Sequence, residues 1–187
     1  YTTWLLDIAY YVSSPKSQRL TIPSGASSNQ MVLLKESISG ALDQGRIVSQ
    51  LRPRTGTIQR PIFIFRAQVS DPTNWHKDSY HVRFLTTSTV WGYYDAGGAS
   101  TDIGSWGYGL PRDVWTKVRL TWWNGKDGLG NLATVLRCEY WDGSAWVQAG
   151  VDLYDTNQRN QGSAINRAGV GVHLESDGGV WLDDTEI

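Results

Sequence analysis

The chain has 187 residues, with 17 Lys and Arg against 18 Asp and Glu, and a formal net charge of −1, so no broad field draws it to nucleic acid or anionic lipid. Its length suits one domain and its 40% hydrophobic fraction suits one core, while no apolar stretch approaches the roughly 20 residues that cross a bilayer. Cys138 is the only cysteine, which excludes an internal disulfide and every zinc site that needs two thiolates.

Period-two alternation predicts strands at 18–23, 31–36, 46–52, 61–68, 79–85, 89–95, 114–123, 133–141, 146–153, 168–175 and 179–186. The clearest is 114–123, where Val118, Leu120 and Trp122 share one face and Lys117, Arg119, Thr121 and Trp123 the other. Turn formers separate these runs, among them Pro23-Ser24-Gly25, Gly97-Gly98, Asn124-Gly125, Asp142-Gly143 and Asp177-Gly178-Gly179. A weak helical spacing at 37–42 allows a turn or two of helix at most. Strands punctuated in this way predict an all-β sandwich or barrel. No repeat or linker divides it, so residues 1–187 read as a single jelly-roll domain, a module or subunit of a larger extracellular protein or assembly.

Two hairpins are legible, one joining 115–123 to 133–141 and one turning at Asp142-Gly143-Ser144 to deliver Trp146. Together the run Val114-Trp115-Thr116-Lys117-Val118-Arg119-Leu120, the hairpin Tyr140-Trp141-Asp142-Gly143-Ser144-Ala145-Trp146, the segment Gly169-Val170-Gly171-Val172 and the closing Val180-Trp181-Leu182-Asp183-Asp184 resemble the concanavalin A-like lectin and glucanase superfamily, including laminin G-like domains. The resemblance covers the chain from Val114 onward, a little under half of it. It implies a two-sheet antiparallel jelly-roll β-sandwich with one concave and one convex sheet, frequently carrying a glycan or protein ligand, and often a calcium ion.

Glycoside hydrolysis on such a fold needs two carboxylates about 5 Å apart, and the nearest approach, Glu139 with Asp142, puts Asp142 in a turn. A lyase instead needs a His or Tyr base and an Arg or Gln to neutralise a sugar carboxylate. Arg66 with Gln68, and His81 with Arg83, each share a strand face, and Arg119 and Arg137 extend the row if their strands are neighbours. The plainer explanation is that outward strand faces ordinarily carry such charges in cross-strand pairs.

The ten tryptophans are the sharper signal. Trp122 and Trp123 are adjacent on a strand, so only one enters the core. Trp123 and Trp141 share the outward parity of Arg119 and Arg137, as a sugar-stacking platform or a subunit interface would require. Trp75, Trp91, Trp106 and Tyr108 fall in or beside loops that could rim a groove, whereas Trp115, Trp122, Trp146 and Trp181 read as packing residues. The amide-rich loop 155–162 suits a sugar site or any solvated turn. Asp183, with Asp7 brought near by pairing of the first and last strands, is the calcium candidate.

These observations lead to the expectation of a non-catalytic carbohydrate-binding or adhesion module, extracellular or on a cell or virion surface, and not an enzyme. Its ligand-binding residues would be Trp123, Trp141, Arg119, Arg137, Arg83 and His81, and its partners a glycan or neighbouring protein subunits, including copies of itself. The alternatives are a self-assembling structural protein, such as a phage decoration or tail component, and a polysaccharide lyase.

Overall fold

A computed structural model describes residues 3–7, 17–22, 31–35, 43–53, 59–68, 77–161, 167–174 and 178–186. The described elements are all strands: β1 (Thr3–Asp7), β2 (Ser17–Ile22), β3 (Met31–Lys35), β4 (Gly45–Pro53), β5 (Gln59–Ala67), β6 (Ser79–Phe84), β7 (Thr89–Tyr94), β8 (Ser100–Trp106), β9 (Thr116–Lys126), β10 (Leu132–Trp141), β11 (Trp146–Gln148), β12 (Leu153–Asp155), β13 (Arg167–Leu174) and β14 (Gly178–Glu186). They form two antiparallel sheets. The eight-stranded sheet runs β1-β2-β14-β4-β9-β10-β11, with β12 also on β10, and the six-stranded sheet runs β3-β13-β5-β6-β7-β8. This is the all-β sandwich that the alternation predicts.

The core lies where the inward parities meet. Ile47, Leu51, Val118, Leu120, Trp122, Leu136 and Cys138 come from the larger sheet. They close on Phe63, Phe65, Tyr80, Val82, Phe84, Trp91, Tyr93, Ala168 and Val170 from the smaller. Phe65 bridges the layers, stacked on Tyr80 at 5.0 Å and on Trp122 at 4.8 Å. Burying each such side chain contributes about 1.5–3 kcal/mol through loss of apolar surface to water. The Trp122 indole lies against the backbone of Gly45 on the neighbouring strand, where a Cβ would stand 2.3 Å from the ring. Glycine is therefore required there.

The predicted strand at 146–153 is interrupted. The backbone leaves the ladder around Gly150, where the Trp106 ring packs, and Trp106 Nε1–H donates to the Val151 carbonyl at 2.8 Å. Two strands escaped the sequence reading, β1 and β8. Both are sheet edges, and β8 is built mostly from polar and small residues, with only Trp106 buried and Ile103 partly so. The helical spacing at 37–42 lies outside the described residues.

Core tyrosines and the thiol give the fold an alkaline limit. Burial, as the largest cause, pushes Tyr93 and Tyr108 from the ordinary 10.0 up to about 12, and Cys138 from 9.0 up to about 12. Tyr80 moves in the same direction. A raised folded pKa means that the folded chain holds protons which the unfolded chain releases first. The contribution of these groups is then constant below about pH 9 and is lost as pH climbs toward 12. Thermal midpoints measured from neutral to strongly alkaline pH are expected to stay level and then drop across that window. A midpoint rising with pH there would contradict the assignment.

Candidate functional site

Each sheet presents one face away from the core. The row of cations envisaged from strand parity does not form, because His81 and Arg83 stand on β6 of the smaller sheet and Arg119 and Arg137 on β9 and β10 of the larger. They occupy opposite outer faces. Arg66 joins neither face. It takes φ 49 at an irregularity in the β5–β13 ladder, which turns the side chain inward, where it is fully buried.

On the outer face of the six-stranded sheet, His81 and Arg83 alternate with the core residues Tyr80, Val82 and Phe84, as parity requires. In register, His81 lies between Ile64 on β5 and Gly92 on β7. Its imidazole crosses Gly92, where a Cβ would stand 2.7 Å from both Cε1 and Nε2, and so reaches the Tyr94 ring at 4.1 Å. Both rings are buried in a second apolar cluster of Ile62, Ile64, Ala67 and Tyr94. Arg83 bonds Asp102 of β8 at 2.5 Å, and that carboxylate is largely exposed. Tyr94 was missed by sequence reasoning.

The eight-stranded sheet carries the aromatic face. Arg119 donates twice to Glu139 at 2.7 and 2.6 Å and lies 4.3 Å from the centre of the Trp146 ring. Arg137 donates twice to Asp152 at 2.8 and 2.7 Å and lies 5.5 Å from the centre of the Trp123 ring. These paired guanidinium groups are held by protein carboxylates and do not form an open cationic row. Trp141 is 40% exposed and meets Trp146 edge-on at 5.7 Å, so Trp146 belongs to this outer face and is not a core residue. Trp91 and Trp106 lie in the core instead of rimming a groove, and Tyr108 stacks on Tyr140 at 4.2 Å.

At the start of the β4–β9 ladder an open groove of about 570 Å³ is lined by Gln44, Gly45, Arg46, Thr121, Trp122 and Trp123. Arg46 is directly across from Thr121. Among the described residues no carboxylate forms an ion pair with Arg46.

Asp142 is spent on its own turn, accepting from the Ser144 and Ala145 amides at 2.8 Å each and from the Ser144 hydroxyl at 2.9 Å. The backbone bonds hold its carboxyl below the usual range. With Glu139 occupied by Arg119, no hydrolytic carboxylate pair exists there. Two side-chain amides of the loop after β12 bond to the protein itself. Asn157 donates to Asp155, and Asn160 donates to the carbonyls of Arg66 and Asp78. Asp155 in turn accepts from Tyr80 at 2.6 Å and from Arg159 at 2.8 Å. Asp155 and Asn160 thus tie the loop to the interior, whereas Gln158 and Gln161 line a surface pocket with Asn124 and Lys126.

For the calcium candidates, Asp7 pairs with Ser17 and Asp183 with Gln50, and β2 intervenes between β1 and β14, so the first and last strands do not pair. The side chains of Asp7 and Asp183 lie outside those described, as do Trp75 and the side chain of Trp181. Among the described residues no group of three or more His, Cys, Asp or Glu gathers as a metal site would require.

No family model and no curated protein matches the sequence. Among solved structures, the chain is similar to the marine PL-14 alginate lyase from Aplysia kurodai, with a TM-score of 0.59 at 8% identity over 92% of this chain and 82% of that one. It is also similar to a functionally unknown protein from Saccharomyces cerevisiae, with a TM-score of 0.51 at 12% identity over 99% of this chain and 94% of that one. At such identities the likeness is one of fold, a jelly-roll sandwich. It nevertheless corrects the expectation of a non-catalytic binding module and of a chain that is not an enzyme. That expectation rested on missing carboxylate pairs, and the alginate lyase shows the same kind of sandwich serving elimination chemistry, which needs no such pair.

Proposed function

We propose that the chain is a polysaccharide lyase acting on a uronate-bearing polymer, with the outer face of the six-stranded sheet as its catalytic face. The observation that carries this reading is the contact of the His81 and Tyr94 rings at 4.1 Å, on the same face as Arg83. A lyase removes the C5 proton beside the sugar carboxylate and protonates the departing O4, so that C4–O4 breaks as the C4–C5 double bond forms. His81 supplies the base and Tyr94 the proton for O4. Arg83 has more donors than Asp102 uses and holds the uronate carboxylate, which spreads the charge that builds as C5 loses its proton.

Both rings are buried, so the polymer reaches them only when that face opens. The similarity in fold to an alginate lyase supports the reaction class. Membership of the concanavalin A-like superfamily belongs to the same reading, supported by the Asp142-Gly143 hairpin and the strand order. A polymer of uronates does not cross a membrane, which supports a place for such an enzyme outside the cell or on a cell or virion surface.

Incubation with alginate, polygalacturonate and related polymers is expected to produce the ultraviolet absorbance of unsaturated uronate ends. Its absence across all of them, with folded protein and long incubation, removes the proposal.

A further inference from the structure

We infer that the groove between the start of β4 and the later half of β9 is a second saccharide site, for a sugar that bears a carboxylate, on the sheet opposite the catalytic face. The choice of a uronate as the sugar rests partly on the lyase reading; the groove and its chemistry do not.

At about 570 Å³ the groove lies within the range of small-ligand sites. Trp123 lines it from the outward side of β9, and an indole is the surface on which the C–H face of a sugar ring packs. Gln44 and Thr121 add groups that both donate and accept. The charge is unbalanced in one direction. Arg137, beside Trp123, is held by Asp152, whereas Arg46 is exposed and makes no ion pair among the described residues. A planar guanidinium at the mouth of an aromatic groove is matched by a carboxylate, which it binds through two parallel hydrogen bonds.

The groove is also built stiffly. Gly45 has no space for a side chain because the Trp122 ring fills it. Behind the wall, buried Arg66 donates to the Asp43 carbonyl and to Asn124 Oδ1, fixing the residues that flank Gln44 and Trp123. A site fixed before its ligand arrives loses less entropy on binding. In a lyase, such a site would keep one stretch of polymer on the protein while another is cleaved, raising the local concentration of substrate.

The test is calorimetric titration of the folded chain with a saturated oligouronate and with an uncharged oligosaccharide of equal length. Trp123→Ala and Arg46→Gln are each expected to weaken oligouronate binding about tenfold, and Arg46→Gln to abolish the preference over the uncharged sugar. Trp123→Phe, which keeps a ring and the fold, is expected to retain most of the affinity. The inference is overturned if both substitutions leave binding unchanged, if the uncharged sugar binds as tightly to the unaltered chain, or if no heat is seen. Binding that depends on Trp123 without any elimination product removes the lyase reading and leaves the site standing. Elimination with no dependence of binding on Trp123 does the reverse.

Discussion

Replacing His81 by alanine is expected to slow elimination by about 10²–10⁴-fold, the usual loss when a positioned general base is removed. The ring is buried among Ile64, Gly92 and Tyr94, so a simple loss of packing must be separated from a loss of chemistry. His81→Gln fills much of the same space and cannot take the proton, so it is expected to fall with the alanine variant in kcat while the thermal midpoint moves little. Gly92→Ala removes no reacting group, but its Cβ would stand 2.7 Å from the imidazole and 2.8 Å from the Thr101 carbonyl, and so push the ring off its course toward Tyr94. A fall in kcat in that variant too, with oligouronate binding at Trp123 unaltered, points to ring position as the cause. Turnover surviving in a folded His81→Gln protein would exclude His81 as the base.

The parity of His81 with Arg83 could be read within one strand. Tyr94 could not, because its place beside His81 depends on the β6–β7 register and on the gap left by Gly92. The same limit explains the cation row that failed. Parity says which residues share a face of one strand, but nothing local says which sheet a strand joins, and β6 and β9 join different ones. Trp123 and Trp141 fall on one outer face as read. Trp146 reads as a packing residue in the sequence, whereas its pairing with Trp141 turns it outward.

For the fold, strong alternation and tight turns were decisive where they occurred. The β9–β10 hairpin pairs over almost its whole length, and Gly143 adopts φ 106 in the turn where Asp-Gly calls for it. Edge strands were harder. β8, Ser100–Trp106, has little apolar alternation because an edge strand buries few side chains. β12 was merged with β11 because the break near Gly150 comes from packing on Trp106, forty-odd residues away.

Arg66→Ala is expected to cost about 2–5 kcal/mol of unfolding free energy, read as a large fall in the urea midpoint. Strand alternation would place Arg66 outward with Ile64. At φ 49 the backbone instead sends it between the sheets, into a site whose acceptors come from three separate segments: the Asp43 carbonyl, Asn124 Oδ1 and Thr134 Oγ1. Burial lowers the guanidinium pKa, the largest influence on it, and the phenol of Tyr80 with Asp43 and Asp155 counters that loss. Removing the side chain leaves these acceptors buried without their donor and opens a void at the end of the core. Lysine has one ammonium where the site needs a planar fork, so Arg66→Lys is expected to recover only a minor part of the loss. The substitution also frees Asp43 and Asn124, which flank the Trp123 groove, so oligouronate affinity should fall even where the remaining protein is folded. A loss below about 1 kcal/mol, with lysine as good as arginine, would mean that the buried fork is incidental to both stability and the groove.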